Sequence, residues 1–261
     1  MKTGLTIAGS DSSGGAGIQA DLKTFSALGV YGMSVITAIT AQNTVGVQAV
    51  EEVSGNMVGQ QIDAIFQDIP ADAVKIGMVS SANIIQVIAD KVKQYNMKHV
   101  VLDTVMISKS GCHLLKPEAI EALKKYLIPS AYIVTPNIFE AEVLTEMKIR
   151  TIEDMQSAAR KIYEMGVPYV VVKGGHLEQQ DCVDILYDGS DFRYYSTNRI
   201  DTKNTHGTGC TFSAAIASHL ALGKSVEDSI DAAKQYITKA IEKSLSLGNG
   251  VGPTHHFHEF Y

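Results

Sequence analysis

Six short, almost wholly apolar segments recur between residues 5 and 172, and longer amphipathic stretches separate them. The apolar segments are residues 5–8, 34–41, 73–76, 99–102, 132–135 and 169–172. Short, continuously apolar runs are typical of strands that helices cover on both faces of a parallel sheet. The alternation therefore predicts right-handed βαβ units in an α/β fold, a three-layer α/β/α sandwich with a mostly parallel central sheet.

The stretches between these strands carry the signals of helix starts. Helices are predicted at residues 16–28, 57–68, 82–95, 117–127 and 152–165. Ser81 and Thr151 stand at N-cap positions, the latter with Asp154 three residues later, and Pro117 occupies the first helical position of another helix.

The alternation changes near residue 180. Residues 181–187 and 192–197 predict a hairpin around an Asp-Gly turn, and two long helices follow at residues 208–222 and 226–245. No linker or internal repeat interrupts the pattern, so residues 1–261 are predicted to form a single domain.

Composition excludes several classes of protein. The chain is 45% hydrophobic and 19% charged, which is an ordinary globular composition. Its formal net charge of −6 argues against nucleic-acid binding, and no apolar run reaches the about 18 residues of a membrane span. Three widely spaced cysteines without a CxxC pair argue against a disulfide scaffold or a zinc ribbon. We expect a cytoplasmic protein that binds neither nucleic acid nor membrane.

A glycine-rich loop, residues 9–17, connects the first predicted strand to the first predicted helix. Its spacing matches neither GxGxxG nor GxxxxGK[ST], so neither a dinucleotide-binding Rossmann loop nor a Walker loop is predicted. Ligands of open parallel sheets bind at the carboxyl ends of the strands, where this loop lies. The density of glycine and polar residues favours a ligand-binding loop over a simple tight turn.

A second glycine-rich segment, residues 204–215, enters an alanine-rich helix. The free N–H groups and the dipole at such a helix start form an anion site that needs no basic side chain. Cys210 lies in the first turn, where the helix field is expected to lower a thiol pKa. The alternative interpretation is that Cys210 is a small apolar residue needed for close packing.

Polar residues also follow later strands. Asn137 and Glu140 share one helix face, and Asp103 ends another strand. Carboxylates at these positions suit Mg²⁺, while Lys173 suits a phosphate and the loop around Lys109 suits closure over a substrate. Helix caps and solvated loop positions are the alternatives.

Taken together, these motifs resemble the hydroxymethylpyrimidine/phosphomethylpyrimidine kinase family, in the vitamin kinase branch of the ribokinase-like superfamily. The residues that carry the resemblance keep their order along nearly the whole chain: residues 8–21, 40–44, 75–78, 109–111, 135–137 with Glu140, 206–211 and 252–257. One departure stands at Thr104, where the family usually has proline. The change frees a backbone N–H and loosens the turn after Asp103.

The resemblance implies a ribokinase-like fold and ATP-dependent phosphorylation of 4-amino-5-hydroxymethyl-2-methylpyrimidine. A second transfer would then give the diphosphate, for thiamine biosynthesis. The resemblance assigns substrate binding to Gly9, Asp21, Gln42 and Met78, and ATP binding to Lys173, Asn137 and Thr135. It assigns Mg²⁺ binding to Asp103 and Glu140. It assigns catalysis to Cys210, Gly207, Thr208, Gly209 and Lys109. Cys210 would act as base for the attacking hydroxyl or would orient it. The family also implies a homodimer.

Two other functions stay open. A pyridoxine, pyridoxal or pyridoxamine kinase, or a dual enzyme, shares the glycine-rich start and the cysteine loop. Gln42 favours the pyrimidine, because the pyridoxal branch lacks that amide. A non-catalytic vitamin-binding regulatory protein is the other alternative. The histidine-rich residues 255–259 are expected at a mobile end, and their spacing matches no closed zinc site.

Overall fold

The computed structural model describes residues 1–106, 115–175, 177 and 181–261. Within these ranges the strands are β1 (Thr3–Ala8), β2 (Tyr31–Ile36), β3 (Ala38–Gln42), β4 (Val47–Glu52), β5 (Ala73–Ile76), β6 (Val100–Leu102), β7 (Ile133–Val134), β8 (Tyr169–Val172), β9 (Asp181–Tyr187) and β10 (Phe192–Asn198). The α-helices are α1 (Gly17–Ala27), α2 (Gly55–Phe66), α3 (Ala82–Gln94), α4 (Pro117–Ala122), α5 (Ile138–Thr145), α6 (Ile152–Tyr163), α7 (Thr208–Ala221) and α8 (Val226–Glu242).

Eight of the strands form one sheet in the order β10-β9-β8-β7-β6-β5-β1-β2. Every pairing from β8 to β2 is parallel, with Gly4 of β1 opposite both Gly32 of β2 and Ala73 of β5. The hairpin of β9 and β10 adds two antiparallel strands at one edge. The predicted mostly parallel sheet and its terminal hairpin are both confirmed.

Helices cover both faces of this sheet. Successive strand residues point to opposite faces, so Val170 and Val172 belong to one core and Val171 belongs to the other. Helices α2 to α6 cover the first core, where Ile62 packs, and helices α1, α7 and α8 cover the second, where Ile216 packs. The predicted three-layer α/β/α sandwich is confirmed.

The apolar run 34–41 was expected to form one strand, and that prediction is wrong. The run divides at Thr37, whose N–H donates to the carbonyl of Ala8 and whose carbonyl accepts from the N–H of Val53. Before Thr37 the chain forms β2 of the large sheet, and after it β3 leaves to pair with β4 in a separate two-stranded sheet. Residues of similar strand propensity on both sides of the break hide it from the sequence.

The helix-start signals are confirmed. The side chain of Ser81 accepts from the N–H of Ile84, and Thr151 forms a reciprocal capping box with Asp154. Pro117 begins α4, but the expected helix 117–127 continues past Ala122 as a π-helical turn rather than as an α-helix.

The carboxyl-terminal residues do not form the expected mobile end. His206 donates its N–H to the carbonyl of Gly252, and Tyr236 of α8 hydrogen-bonds the carbonyl of His256. The buried His256 ring lies 3.1 Å from the hydroxyl of Thr211, and burial lowers the pKa of His256 to about 3. This segment therefore closes over α7 and α8. No helix of the described residues is both long and apolar enough to span a bilayer.

Candidate active site

A cavity of about 950 Å³ opens at the carboxyl ends of β1, β5, β6 and β8. Most of the residues predicted for the site line it, which places them within one pocket at the expected edge of the sheet. They are Gly9, Gln42, Met78, Asp103, Asn137, Glu140, Lys173, Gly207, Thr208, Gly209 and Cys210.

Two of the described residues that were predicted for the site are not on the cavity wall. Asp21 and Thr135 are completely buried behind the wall, where Thr135 directs its hydroxyl to Asp103 at 3.4 Å. Neither side chain reaches a ligand in the cavity directly, so a direct substrate contact for Asp21 and a direct ATP contact for Thr135 are not supported. Lys109 lies outside the described residues.

The glycine-rich loop after β1 is organised around the buried carboxylate of Asp11. Its Oδ1 accepts from the N–H and hydroxyl of Ser13, and its Oδ2 accepts from the N–H groups of Gly15 and Ala16. Burial opposes ionisation, yet the hydrogen bonds of His206 and Ser13 lower the pKa of Asp11 to about 2. An ionised Asp11 therefore holds the loop at the cavity.

The loop before α7 packs directly on the glycine-rich loop. Nε2 of His206 lies 2.7 Å from Oδ2 of Asp11. Gly207 caps α7 with φ +80°, and a Cβ on it would lie 1.8 Å from the carbonyl oxygen of Gly15. Only glycine fits this contact. The pairing of Asp11 with His206 was not predictable from the sequence, because nothing in the spacing connects residues so distant in the chain.

The amino terminus of α7 faces the cavity through Thr208, Gly209 and Cys210. The N–H of Thr208 donates to the carbonyl of Thr205 at 3.3 Å, whereas the N–H groups of Gly209 and Cys210 are not used by the helix's own hydrogen-bond ladder. This helix start, here called the anion site, therefore has donors available for the predicted anion. A Cβ on Gly209 would lie 3.5 Å from both Oδ2 of Asp103 and Nζ of Lys173. The start of α7 and the Asp103 and Lys173 side chains therefore border the same part of the cavity.

The expectation that the helix field lowers the thiol pKa of Cys210 is wrong for this structure. Burial raises the pKa of Cys210 to about 11, and the ammonium of Lys75 opposes that rise while Asp21 and Asp103 add to it. The loss of solvation outweighs the helix dipole, which supplies at most about half a charge. The thiol form of Cys210 is therefore the stable form at neutral pH.

Asp103 and Lys173 form an ion pair of 2.9 Å within the cavity wall. Burial alone would raise the pKa of Asp103, but the ammonium groups of Lys173 and Lys75 outweigh it and lower the pKa below its ordinary value. Burial likewise opposes the charge of Lys173, whose pKa is nevertheless raised by Asp103 and Glu140. Both groups are charged at neutral pH, and together they present a cation and an anion to the same ligand.

Glu140 lies beside this pair at the start of α5. It accepts from the N–H of Asn137 in a capping box, and the hydroxyl of Thr104 donates to it at 3.0 Å. Burial raises the pKa of Glu140 to about 7. Thr104, the departure from the family proline, thus contributes a hydroxyl that a proline would lack.

The oxygen atoms of this corner suit a magnesium ion. Both described hydrogen bonds to Glu140 end on Oε2, and Asp103 supplies a second carboxylate. Among the residues that the structure describes, no three acidic, histidine or cysteine side chains form a complete metal cage. Two carboxylates without a cage fit Mg²⁺, which keeps several waters and shares phosphate oxygens.

The other end of the cavity presents the thioether of Met78 and the side-chain amide of Gln42. A Cβ on Gly9 would lie 2.6 Å from Cε of Met78, so the missing side chain makes room for the thioether. Gln42 lies at an irregularity in the β3–β4 pairing, and its backbone N–H and carbonyl both bond the hydroxyl of Ser12. Its side-chain Oε1 lies 3.3 Å from the hydroxyl of Thr40. The arrangement suits a planar, hydrogen-bonding ring.

The family model described as phosphomethylpyrimidine kinase matches residues 11–255. The chain belongs to the phosphomethylpyrimidine kinase family. It is 48% identical over 254 residues to hydroxymethylpyrimidine/phosphomethylpyrimidine kinase of Bacillus subtilis (strain 168), with 97% of this chain and 94% of the relative covered.

Solved structures of two relatives share the fold. The crystal structure of phosphomethylpyrimidine kinase from Clostridium difficile 630 is 56% identical, with a TM-score of 0.83, and the match covers 92% of this chain and 100% of that chain. An ADP complex of Bacillus subtilis pyridoxal kinase is 44% identical, with a TM-score of 0.93, and covers 100% of both chains. The predicted family and its ribokinase-like vitamin kinase fold are confirmed.

Proposed function

We propose that this enzyme transfers the terminal phosphoryl group of ATP to 4-amino-5-hydroxymethyl-2-methylpyrimidine, and then to the resulting monophosphate, in thiamine biosynthesis. One observation carries the proposal. The anion site at the start of α7 borders the Asp103–Lys173 pair in the same cavity that holds Gln42 and Met78. The cavity therefore has neighbouring binding positions for a phosphate, a cation and a planar acceptor.

The acceptor ring is assigned to the end of the cavity near β1 and β3. Met78 packs on the ring, Gly9 leaves the space for it, and the amide of Gln42 hydrogen-bonds the ring edge. The hydroxymethyl group then points toward the start of α7. Asp21 supports this wall from behind, without a direct contact.

Phosphoryl transfer here depends on positioning and on neutralising charge, since the transferred group needs little covalent help from the protein. The N–H groups of Gly207, Thr208 and Gly209 bind the transferring phosphate. Cys210 orients the attacking hydroxyl and accepts its proton when present as thiolate.

The nucleotide is assigned to the cavity between β8 and α8. Lys173 binds an ATP phosphate, Asn137 lines the approach, and Thr135 fixes Asp103. Apolar residues for a base ring are present in Ile237 and Ile241 of α8.

Asp103 and Glu140 are the residues that would hold Mg²⁺, directly or through water. When bound, the ion neutralises phosphate charge. Binding of the ion requires Glu140 in its ionised form. The fold therefore keeps the Glu140 carboxylate beside Asp103 although Glu140 is buried. Lys109 is assigned to the second transfer, where an extra cation must accommodate an acceptor that already carries a phosphate.

A second candidate, phosphorylation of a B6 vitamer, is supported by the likeness to a pyridoxal kinase over 100% of both chains. Both acceptors are flat rings with a hydroxymethyl group. The amide of Gln42 in the acceptor end favours the pyrimidine. A regulatory protein that binds the vitamin without turnover is the third candidate, and the complete anion loop disfavours it.

The experiment is a mass-spectrometric assay of purified protein with ATP, Mg²⁺ and one acceptor at a time. We expect monophosphate and then diphosphate from the pyrimidine. The Cys210→Ala variant is expected to lose about 100-fold or more in kcat. Binding of the pyrimidine without turnover by the wild-type protein would favour the regulatory alternative.

We further propose that residues 1–261 act as one catalytic domain in the cytoplasm, with small molecules rather than nucleic acid or membrane as partners. The described cysteines, Cys182 and Cys210, are free thiols, which suits a reducing compartment. A homodimer is proposed through the β3–β4 sheet, where Ile39 and Val50 are exposed. Light scattering would test this, with Ile39→Asp expected to give monomers.

A further inference from the structure

A buried ion pair lies directly behind the candidate active site. Nζ of Lys75 donates to Oδ2 of Asp21 at 2.8 Å, and both side chains are completely buried. The hydroxyl of Thr6 donates to the same oxygen at 2.6 Å. Lys75 is the one charged residue in the strand Ala-Val-Lys-Ile, and the proposed function does not use it.

The sheet geometry directs Lys75 toward the catalytic helix. Strand residues alternate between faces, and Ala73, two residues before Lys75, packs in the core covered by α1, α7 and α8. The ammonium lies directly behind the backbone of Gly77, because a Cβ on Gly77 would lie 2.6 Å from Nζ of Lys75. Gly77 immediately precedes Met78, a cavity residue.

Cys210, in the first turn of α7, lies on the cavity side of the Lys75–Asp21 pair. Cys210 and Gly17, the first residue of α1, both line the cavity, and the backbone N–H of Gly17 lies close enough to the sulfur to favour a lower pKa of the thiol. Asp21 lies four residues after Gly17, one helical turn along the same face of α1. The thiol, the start of α1 and the Lys75–Asp21 pair therefore form a contiguous stack.

The pair is incomplete as a structural ion pair. Oδ1 of Asp21 is buried without a hydrogen-bond partner among the described residues, and the described ammonium of Lys75 donates a single hydrogen bond. A buried pair with unused hydrogen-bonding capacity is a weak source of stability, because desolvation offsets its attraction. An electrostatic effect on the Cys210 thiol explains the position of the Lys75–Asp21 pair better than a contribution to stability does.

We propose that Lys75 is a positioning residue for phosphoryl transfer, whose buried ammonium stabilises the Cys210 side chain as the thiolate that accepts the proton of the acceptor hydroxyl. The inference rests on the proposed function. The proton moves from the hydroxyl oxygen to the sulfur as the new P–O bond forms and the bond to ADP breaks, so atoms and charge balance.

The other charges that face Cys210 act on it in known directions. Asp21 from α1 and Asp103 from the end of β6 both disfavour the thiolate, and Lys75 from β5 is the ammonium that favours it. Negative charges nearby, Asp21 foremost, raise the pKa of Lys75 although burial would lower it, so the ammonium stays charged. Removing Lys75 or Asp21 must therefore shift the thiolate population in opposite directions.

The test measures the thiol itself, without nucleotide or acceptor. Alkylation of Cys210 by iodoacetamide is followed by peptide mass spectrometry from pH 7 to 11 in wild type, Lys75→Met, Asp21→Asn and the double variant. We expect the alkylation rate of Cys210 at pH 8 to fall about tenfold in Lys75→Met, which corresponds to one pKa unit. It should rise in Asp21→Asn and fall less in the double variant, where both charges are absent.

Cys182 is the internal control, since β9 lies four strands from β5, roughly 19 Å away. Its rate should stay unchanged in all variants. Equal Cys210 rates in wild type and Lys75→Met, or shifts in the same direction for Lys75→Met and Asp21→Asn, would overturn the inference. If Lys75→Met does not fold, the double variant decides: a slower rate supports the inference, and an equal or faster rate overturns it.

Kinetics supply a second readout. Lys75→Met should lower kcat at pH 7 about tenfold with the KM for ATP unchanged, and the double variant with Asp21→Asn should recover part of that loss, because both charges that act on the thiolate are then absent. A loss of kcat that is equal or larger in the double variant indicates a structural role and overturns the inference. A wild type that phosphorylates no pyrimidine refutes the proposed function, but it leaves the alkylation result to decide the role of Lys75.

Discussion

The Nε2 atom of His206 lies 2.7 Å from Oδ2 of Asp11, although the two residues stand 195 positions apart in the chain. The contact joins the glycine-rich loop after β1 to the loop that begins α7. Asp11 also accepts from the N–H groups of Ser13, Gly15 and Ala16, so one carboxylate fixes both walls of the site.

The first prediction concerns Asp11→Asn. The pKa of Asp11 is lowered to about 2 from 3.8, so its ionised form stabilises the fold above pH 4, and that contribution is lost as the pH falls from about 4 through 2. Urea unfolding should show Asp11→Asn less stable by about 2 kcal/mol at pH 7, with the difference shrinking toward pH 2. We also expect kcat to fall about 100-fold, because the two loops lose their alignment.

Asp188→Asn is the control for Asp11→Asn. Asp188 also accepts two backbone N–H groups in a turn, from Ser190 and Asp191, but it lies in the β9–β10 hairpin. This variant should change stability without changing kcat. Equal kcat values for Asp11→Asn and wild type would show that the carboxylate does not align the site.

A second prediction concerns the glycine at the start of α7. Gly207 has φ +80°, and a Cβ there would lie 1.8 Å from the carbonyl of Gly15. Gly207→Ala must displace the anion loop, so activity should fall below about 1% of wild type. Gly223, at the other end of α7, has φ +88° with open space around it. Gly223→Ala should therefore lose about 1 kcal/mol of stability and keep full activity. Full activity in Gly207→Ala would contradict the close contact.

The Asp103–Lys173 pair gives a third prediction. Lys173→Met removes the cation that faces the anion site, so kcat should fall about 100-fold or more and KM for ATP should rise. Lys2→Met is the matched control, because Lys2 forms an exposed pair with Asp72 at 2.7 Å. Steady-state kinetics of both variants test the prediction. Unchanged kinetics in Lys173→Met would remove Lys173 from the phosphate site.

Glu140 gives a fourth prediction, on stability in the absence of divalent cations. Burial raises the pKa of Glu140 to about 7 from 4.5, so the folded protein keeps a proton that the unfolded chain releases between these values. Wild-type stability therefore declines relative to Glu140→Gln as the pH rises from 4.5 to 7, and the difference is constant above 7. Glu140→Gln should be more stable by roughly 3 kcal/mol at pH 8 and equal at pH 4.

Glu142→Gln, on the same helix, should behave oppositely. The N–H of Ile149 lowers the pKa of Glu142, so the ionised form is favoured in the folded state. Glu142→Gln should thus be less stable than wild type at pH 8, as urea titrations at pH 4 and 8 will show. A Glu140→Gln variant that is less stable at pH 8 would contradict the unfavourable burial of that carboxylate.

The sequence predicted the layers and the edge of the sheet that carries the site. Each of Gly9, Asp103 and Lys173 directly follows a run of buried apolar residues, and the parallel sheet places those ends together. Strand periodicity is local, so it survives without knowledge of the rest of the fold. The break at Thr37 was not predictable in the same way, because its cause is a pair of hydrogen bonds to Ala8 and Val53.

The pKa values and charge partners of the site residues were less predictable from the sequence than the positions of those residues. The helix dipole at Cys210 can be read from the sequence, but the burial that outweighs it depends on how α1 and α7 meet. Lys75 carried a usable signal, a lone lysine in a strand of apolar residues, which implies a buried partner. Its partner Asp21 was assigned to the substrate by resemblance alone, and the structure directs it to Lys75 instead.

The measurement that tests the central claim most directly is an internal competition. Equal concentrations of hydroxymethylpyrimidine and pyridoxal share limiting ATP, and the ratio of phosphorylated products gives the ratio of kcat/KM values. Wild type should favour the pyrimidine at least about tenfold. Gln42→Leu should lose most of that preference, since leaving one buried polar group of the pyrimidine without a partner costs about 1–3 kcal/mol. The control Gln48→Leu, at an exposed position, should keep the preference. A wild type that prefers pyridoxal, with a ratio that Gln42→Leu leaves unchanged, would contradict the account.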